Sequence, residues 1–177
     1  AYDSCRLISV NLKNFVKNPF TETAFFDFDH FSQVAASAMR LSDDLVELEV
    51  EKLDNIIKAC DTSDEVELWE NLKAACVNGR RTGLGTHGLA DALACLSLAY
   101  DSDEAIEVID NIYSTFKVAA YTESVNLAQE RGAFPVFNWD KEKDNAYIQS
   151  LPKNLQELIA KFGRRNISIL TNAPTGS

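Results

Sequence analysis

The sequence lacks long apolar runs, an excess of positive charge and a cysteine-rich pattern. None of its stretches reaches the roughly 18 consecutive apolar residues that a membrane-spanning helix needs. Its 177 residues include 17 Lys and Arg against 27 Asp and Glu, for a formal net charge of −10. Phosphate neutralisation requires clustered cations, so this balance argues against direct nucleic-acid binding. We expect neither a membrane protein nor a nucleic-acid binder.

The cysteines and histidines are too scattered to predict a metal site. Four cysteines, Cys5, Cys60, Cys76 and Cys95, show no Cys-x-x-Cys or Cys/His spacing, and the two histidines lie far apart. The first residues, AYDSCRLISV, lack the basic flank and apolar run of a signal peptide. The sequence therefore predicts a cytoplasmic protein with reduced thiols and no bound metal. Residue 1 is not Met and the sequence stops at TNAPTGS, which suggests a piece of a longer protein.

The hydrophobic pattern predicts two strands separated by a long helical region. Apolar residues at 6–12 and 166–171 are typical of buried strands, and helical spacing covers 28–60 as one helix or two broken near Ser42 and Asp43. The charged residues of that region, Asp43 among them, are expected to face water. Two strands cannot make such a sheet alone, so we expect a parallel α/β sheet or barrel with further strands outside this sequence.

Capping signals predict where the remaining helices begin and end. Thr62 and Glu65 form a capping box that opens a helix closed by Gly79, and a similar acidic signal at 101–104 opens a long helix that stops at Gly132. Shorter helices are predicted over 87–98 and from Pro152 to Gly163. Along the long helix, Ile106, Ile109, Ile112 and Phe116 are expected to face inward.

The segment Gly83–Gly88 matches the dinucleotide fingerprint Gly-x-Gly-x-x-Gly, but its context is wrong for that function. The fingerprint needs a buried strand just before it, whereas a polar stretch, 78–82, precedes this one. We interpret these glycines as a device for tight packing between helices.

Two sites in the sequence could carry chemistry. Cys5 lies at the entrance of the first strand, whereas Cys60, Cys76 and Cys95 lie on apolar helix faces and are expected to be small buried hydrophobes. The turn-forming segment Ala173–Ser177 follows the last strand and offers small residues, hydroxyls and free backbone donors. It is either a phosphate-binding loop or a plain turn.

Four segments together resemble the ribonucleotide reductase family, and most closely its adenosylcobalamin-dependent (class II) type. They are YDSCRLISVNL at 2–12, GRRTGLG at 79–85 with GLAD at 88–91, AYTESVNLAQERGAFP at 120–135 and RNISILTNAPTGS at 165–177. They occur in the family's order and span the sequence from end to end. The resemblance implies a helix-rich α/β fragment, residues 1–177, from the second half of a single ten-stranded catalytic barrel, truncated at both ends.

The resemblance also implies a radical mechanism. In the family a cysteine thiyl radical, generated with adenosylcobalamin, removes the ribose 3′ hydrogen, and two other cysteines supply reducing equivalents and become a disulfide. Cys5 corresponds to one reducing cysteine, and Ala173, Pro174, Thr175, Gly176 and Ser177 correspond to the substrate phosphate loop. The expected partners are a ribonucleotide, a thioredoxin-like reductant and the missing remainder of the parent chain.

Two alternatives stay open at this point. The sequence could come from the large subunit of an iron-dependent (class I) reductase, or from a reductase-derived scaffold that has lost its chemistry. The radical cysteine and its partner residues would lie outside these 177 residues, so the fragment alone is expected to be inactive.

Overall fold

A computed structural model describes residues 3–4 and 6–172 of the chain. Its strands are β1 (Arg6–Asn11), β2 (Val16–Lys17), β3 (Phe25–Phe26) and β4 (Thr82–His87). Its helices are α1 (Phe28–Ala59), α2 (Ser63–Gly79), α3 (Leu89–Cys95), α4 (Asp103–Arg131), α5 (Trp139–Glu142), α6 (Ala146–Gln149) and α7 (Lys153–Phe162). None of the helices in the described part is both long and apolar enough to cross a bilayer.

Parallel pairing around β4 organises the sheet. β1 pairs with β4 in parallel, with Arg6 opposite Thr82. The segment 167–171 runs along the other side of β4, where the Leu84 N–H donates to Ile169 O at 2.9 Å and the Thr171 N–H donates to Leu84 O at 3.0 Å. The two predicted strand segments are therefore parallel, as expected, but 167–171 forms only a bridge to Leu84 and does not continue as a regular strand.

The sequence prediction for the glycine-rich segment is wrong, because residues 82–87 form the central strand β4 and not a contact between helices. Glycines carry no side chain and so leave no alternating hydrophobic signal. Their small size is still required: a Cβ on Gly85 would lie 2.5 Å from the Thr171 carbonyl oxygen. The glycines lie within the strand, whereas the dinucleotide fingerprint places them in the turn after it.

One side of the sheet packs on helices and the other is open. Along β1, Arg6 and Val10 are buried, whereas Leu7 is 48% exposed and Ser9 is also exposed. The predicted strand at 6–12 is present as β1, and the predicted burial holds for only one of its faces. Parallel pairing places each residue beside a partner of the same face, which defines an open face formed by Leu7, Ser9, Gly83, Gly85 and His87.

The helical layer packs around α1. This helix contacts α2 and α4 as well as both long strands. Aromatic rings fill the space between α1, α4 and the short β2–β3 hairpin, with Phe31 stacked on Phe116 at 5.6 Å between ring centroids and set edge-on to Phe15 at 5.0 Å. Such buried rings contribute a large share of the apolar area that stabilises a core.

Most predicted helix ends are confirmed. The capping box of Thr62 and Glu65 opens α2, and Gly132 ends α4. α1 is one continuous helix with no break near Ser42. α3 is shorter than predicted, because His87 still belongs to β4, and Ile106 of α4 is exposed, contrary to expectation.

Asp43 also differs from the prediction, because its side chain is completely buried. One carboxylate oxygen accepts hydrogen bonds from Arg80 Nε at 2.9 Å and Asn166 Nδ2 at 3.0 Å. The other accepts from Arg131 Nη1 at 3.1 Å and Arg165 Nε at 3.3 Å. A charge needs such partners when it is removed from water. We call Asp43 with these four partners the Asp43 cluster.

The cluster joins parts of the chain that are distant in sequence. Arg80 follows α2 in the left-handed conformation, at φ +48°, which costs a non-glycine residue about 1–2 kcal/mol. Its bonds to Asp43 hold it there, two residues before β4 begins. Asn166 donates to Arg80 O at 3.1 Å and accepts from Ser124 Oγ at 3.0 Å, which fixes the start of the third parallel segment.

We expect Asp43→Asn to lower the free energy of unfolding by about 3–5 kcal/mol, because Arg80 and Arg165 lose their buried charged partner and keep only the half-exposed Glu47. Asp44→Asn is the matched control, since Asp44 is half exposed and binds only Arg131 among the cluster's cations. That control should cost at most about 1 kcal/mol. Urea unfolding followed by circular dichroism measures both. Equal losses for the two variants would contradict the structural role of Asp43.

Candidate active site

The open face carries one pair of hydrogen-bonded polar side chains at its carboxyl end. Ser9 Oγ lies 2.9 Å from His87 Nδ1, and both side chains are exposed. They come from adjacent strands, so the parallel pairing of β1 with β4 brings them together. Gly83 and Gly85 beside them are buried, but neither carries a side chain, so no side chain projects from these two positions of β4. This is the surface on which a ligand could approach the sheet closely.

At the amino end of β1, residues on either side of Cys5 are held by α1. The Arg6 guanidinium donates to Glu49, and it also donates to Ser4 O at 3.2 Å and to Arg81 O at 2.9 Å. Ser4 Oγ donates to the same Glu49 carboxylate. Cys5 itself lies outside the described residues. Because Ser4 and Arg6 share one carboxylate, the backbone that flanks position 5 is tied to the helical layer.

The predicted phosphate loop, Ala173–Ser177, also lies outside the described residues. Its described neighbours Thr171 and Asn172 end the third parallel segment at the carboxyl edge of the sheet. β1 spans six residues, Arg6–Asn11, so the two edges are about 20 Å apart at roughly 3.3 Å per residue. The chain therefore enters the sheet just after position 5 and leaves it just before position 173, at opposite ends.

A separate cleft lies between α4 and the segment 167–172. Its volume is about 860 Å³, and its wall includes Tyr113, Lys117, Tyr121 and Tyr147. Thr86 Oγ1 lies 3.1 Å from the Tyr113 hydroxyl, so this cleft is on the helix side of β4. Burial raises the pKa of Tyr121 to about 12, so its phenol stays protonated near neutral pH. Neither Ser9 nor His87 lines it.

The sequence predicts that Cys60, Cys76 and Cys95 are buried, and the structure confirms this for two of them. Cys76 and Cys95 are buried, whereas Cys60 is partly exposed at the end of α1. Arg6 Nη2 lies 2.8 Å from Cys76 Sγ, yet burial dominates and raises the pKa of the Cys76 thiol. Burial raises the pKa of Cys60 as well, followed by repulsion from nearby acids. Both thiols are therefore poor nucleophiles at neutral pH.

Within residues 3–4 and 6–172, no group of three or more His, Cys, Asp or Glu side chains could hold a metal ion. His30 lies in the first turn of α1, where its backbone N–H donates to the capping Asp27 carboxylate at 3.0 Å. His30 therefore does not belong to the open face of β1 and β4.

Sequence reasoning missed both Ser9 and His87 as site residues. Residues 82–87 were not recognised as a strand, because their glycines have no side chains to produce an alternating hydrophobic pattern. With that strand recognised, the parallel register would have placed His87 beside β1. The partners of Asp43 could not be found in this way, because they come from segments up to 123 residues apart.

We expect iodoacetamide to modify Cys60 well before Cys76 and Cys95 in the native protein, because only Cys60 is partly exposed. Peptide mass spectrometry after short labelling measures this order. Labelling in urea is the control and should equalise the three rates. Fast native labelling of Cys76 would contradict its burial beneath Arg6.

Comparisons with known proteins agree with the motif assignment. Residues 1–177 match the family model for the ribonucleotide reductase barrel domain. The chain is 32% identical over 176 residues to a vitamin B12-dependent ribonucleoside-diphosphate reductase of Mycobacterium tuberculosis, which covers 99% of this chain and 20% of that protein. A protein of the same name from Thermoplasma acidophilum is 30% identical over 80% of this chain and 16% of its own length.

The solved structures include a similar fold. The class Id ribonucleotide reductase alpha subunit of Actinobacillus ureae matches with a TM-score of 0.57 at 20% identity, over 98% of this chain and 25% of that subunit. The chain thus spans about a fifth of the length of the curated relatives named above. The helix-rich α/β fold is confirmed, and the described residues form an open sheet, not a closed barrel.

Proposed function

This chain belongs to the ribonucleotide reductase family, and on that premise we propose that it is part of the catalytic barrel of an adenosylcobalamin-dependent ribonucleoside-diphosphate reductase. The observation that carries the adenosylcobalamin-dependent type is the 32% identity to a vitamin B12-dependent reductase over 99% of this chain, and the barrel-domain match to residues 1–177 supports the barrel assignment. We assign residues 1–177 to a single barrel domain completed by the rest of the parent protein.

The open face supports a substrate position along β1 and β4. Exposed residues on β1 are odd-numbered, Leu7 and Ser9, and Cys5 has the same parity. The phosphate loop Ala173–Ser177 follows the opposite edge. We propose that the ribose lies toward Cys5 and the phosphates toward the loop.

The net reaction replaces the ribose 2′ hydroxyl with hydrogen and releases water. Two cysteine thiols supply the two electrons and two protons and end as a disulfide, and Cys5 is one of them in this proposal. Its partner belongs to another part of the barrel. A thioredoxin-like dithiol would then reduce the disulfide by thiol exchange, so turnover requires a reducing compartment such as the cytoplasm.

Adenosylcobalamin supplies the radical when bound. The open face of three adjacent segments is only about 10 Å wide, so the described residues could form at most part of a surface for this cofactor. We therefore assign none of them to the cofactor, whose binding surface belongs to the remainder of the protein in this proposal.

We expect Cys5→Ser in the complete protein to abolish multiple turnover with a dithiol reductant, because serine cannot form the disulfide. The measurement is 2′-deoxynucleotide formed per enzyme. Cys60→Ser is the matched control and should keep wild-type turnover, since Cys60 lies at the far end of α1. Unchanged multiple turnover in Cys5→Ser would show that this thiol is not a reductant.

We expect bulky replacements in the loop, Thr175→Trp with Ser177→Trp, to weaken binding of a ribonucleoside diphosphate at least tenfold, because they obstruct backbone donors. Isothermal titration of the complete protein measures the dissociation constant. Thr171→Ser is a mild control outside the loop. No binding by the wild-type protein at millimolar nucleotide would favour the non-catalytic scaffold.

A further inference from the structure

The pair formed by Ser9 and His87 has no role in the mechanism above. Of the open-face residues Leu7, Ser9, Gly83, Gly85 and His87, only His87 has a side chain that can carry positive charge. Arg6 belongs to the helix side, where it is buried against Glu49. An anionic ligand on this face would therefore meet one ionisable cation in the described part of β1 and β4.

The register places this cation at the edge where the predicted phosphate loop begins. Leu84 is opposite Leu170, and β4 continues for three residues to His87 while the neighbouring segment continues to Asn172. His87 is thus at the carboxyl edge of the sheet, on the open face, close to the end of the third segment.

We propose that His87, oriented by Ser9, binds a phosphate group of the nucleotide substrate as an imidazolium. This contact rests on the proposed function. The hydroxyl occupies Nδ1 at 2.9 Å, which leaves Nε2 free to donate to a ligand. With a phosphate bound, both ring nitrogens carry protons: Nδ1–H donates to Ser9 Oγ, and Nε2–H donates to the anion.

The contact makes phosphate affinity depend on pH. An anion favours the charged form of a neighbouring imidazole, so a bound phosphate and a second proton on the His87 ring stabilise each other. The other titratable side chains of β1, α3 and the turn after β1 are Arg6 and Cys95, which are buried, and Asp91 and Lys13. β4 and the segment 167–172 contribute no further titratable side chain.

The test is the dissociation constant of a ribonucleoside diphosphate for the complete protein between pH 5.5 and 8.5. His87→Gln should weaken binding about tenfold at pH 5.5 and have little effect at pH 8.5, because it removes one charge-assisted hydrogen bond. The terminal phosphate titrates in the same range. The difference between the wild-type and variant profiles therefore isolates the imidazole.

Three further measurements separate charge from folding. His87→Lys, which stays charged throughout this pH range, should restore tight binding at both ends of it. His30→Gln removes the other histidine, which lies in α1, and should keep the wild-type profile. The unphosphorylated ribonucleoside should bind wild type and His87→Gln equally.

These measurements distinguish failure of the His87–phosphate contact from failure of the proposed function. Wild-type nucleotide binding with an unchanged pH profile in His87→Gln overturns the phosphate contact alone, and so does failure of His87→Lys to restore affinity in a protein with a native circular dichroism spectrum. No nucleotide binding by the wild-type protein overturns the proposed function and this contact together.

Discussion

The buried carboxylate of Asp43 is the interaction on which the rest of this structure depends. A single side chain on α1 accepts hydrogen bonds from Arg80, two residues before β4, from the end of α4 and from the two residues that precede the third parallel segment. At these points the chain passes between the helical layer and the sheet. Because each partner approaches from a different element, the cluster sets the relative position of α1, α4, β4 and the segment 167–171.

The relative position of these elements determines which side chains lie on each face of the sheet. Charged groups lie at the amino end of the strands and on the helix side, while the open face carries Leu7 and His87 with the small residues Ser9, Gly83 and Gly85. Arg6 is one example, since its guanidinium is bound by Glu49 behind the sheet and fixes the backbone on either side of Cys5. The sheet thereby presents the exposed side chains of Leu7, Ser9 and His87 between two chemically different ends, one next to a cysteine and the other next to a loop of small residues.

The sequence predicted the elements whose signals are local. The capping box of Thr62 and Glu65 marks the start of α2, and Gly132 marks the end of α4. Both signals can be identified in the sequence because each involves residues within one helical turn. The strand β4 was missed because Gly83 and Gly85 have no side chains to alternate, and the need for them is a close approach to Thr171, 86 residues away from Gly85. Asp43 was expected in water because an acidic residue in a helix is usually solvated, and its cationic partners are recognisable only after folding.

For the site, the sequence resemblance identified Cys5 and Ala173–Ser177, which remain predictions, and the structure added the Ser9–His87 pair between them. The most direct measurement is product analysis of the complete protein incubated with a ribonucleoside diphosphate, adenosylcobalamin and a dithiol. The account predicts a 2′-deoxyribonucleoside diphosphate, and none when adenosylcobalamin is left out. Absence of deoxynucleotide in the complete mixture, from protein that is folded and binds the nucleotide, would contradict the account.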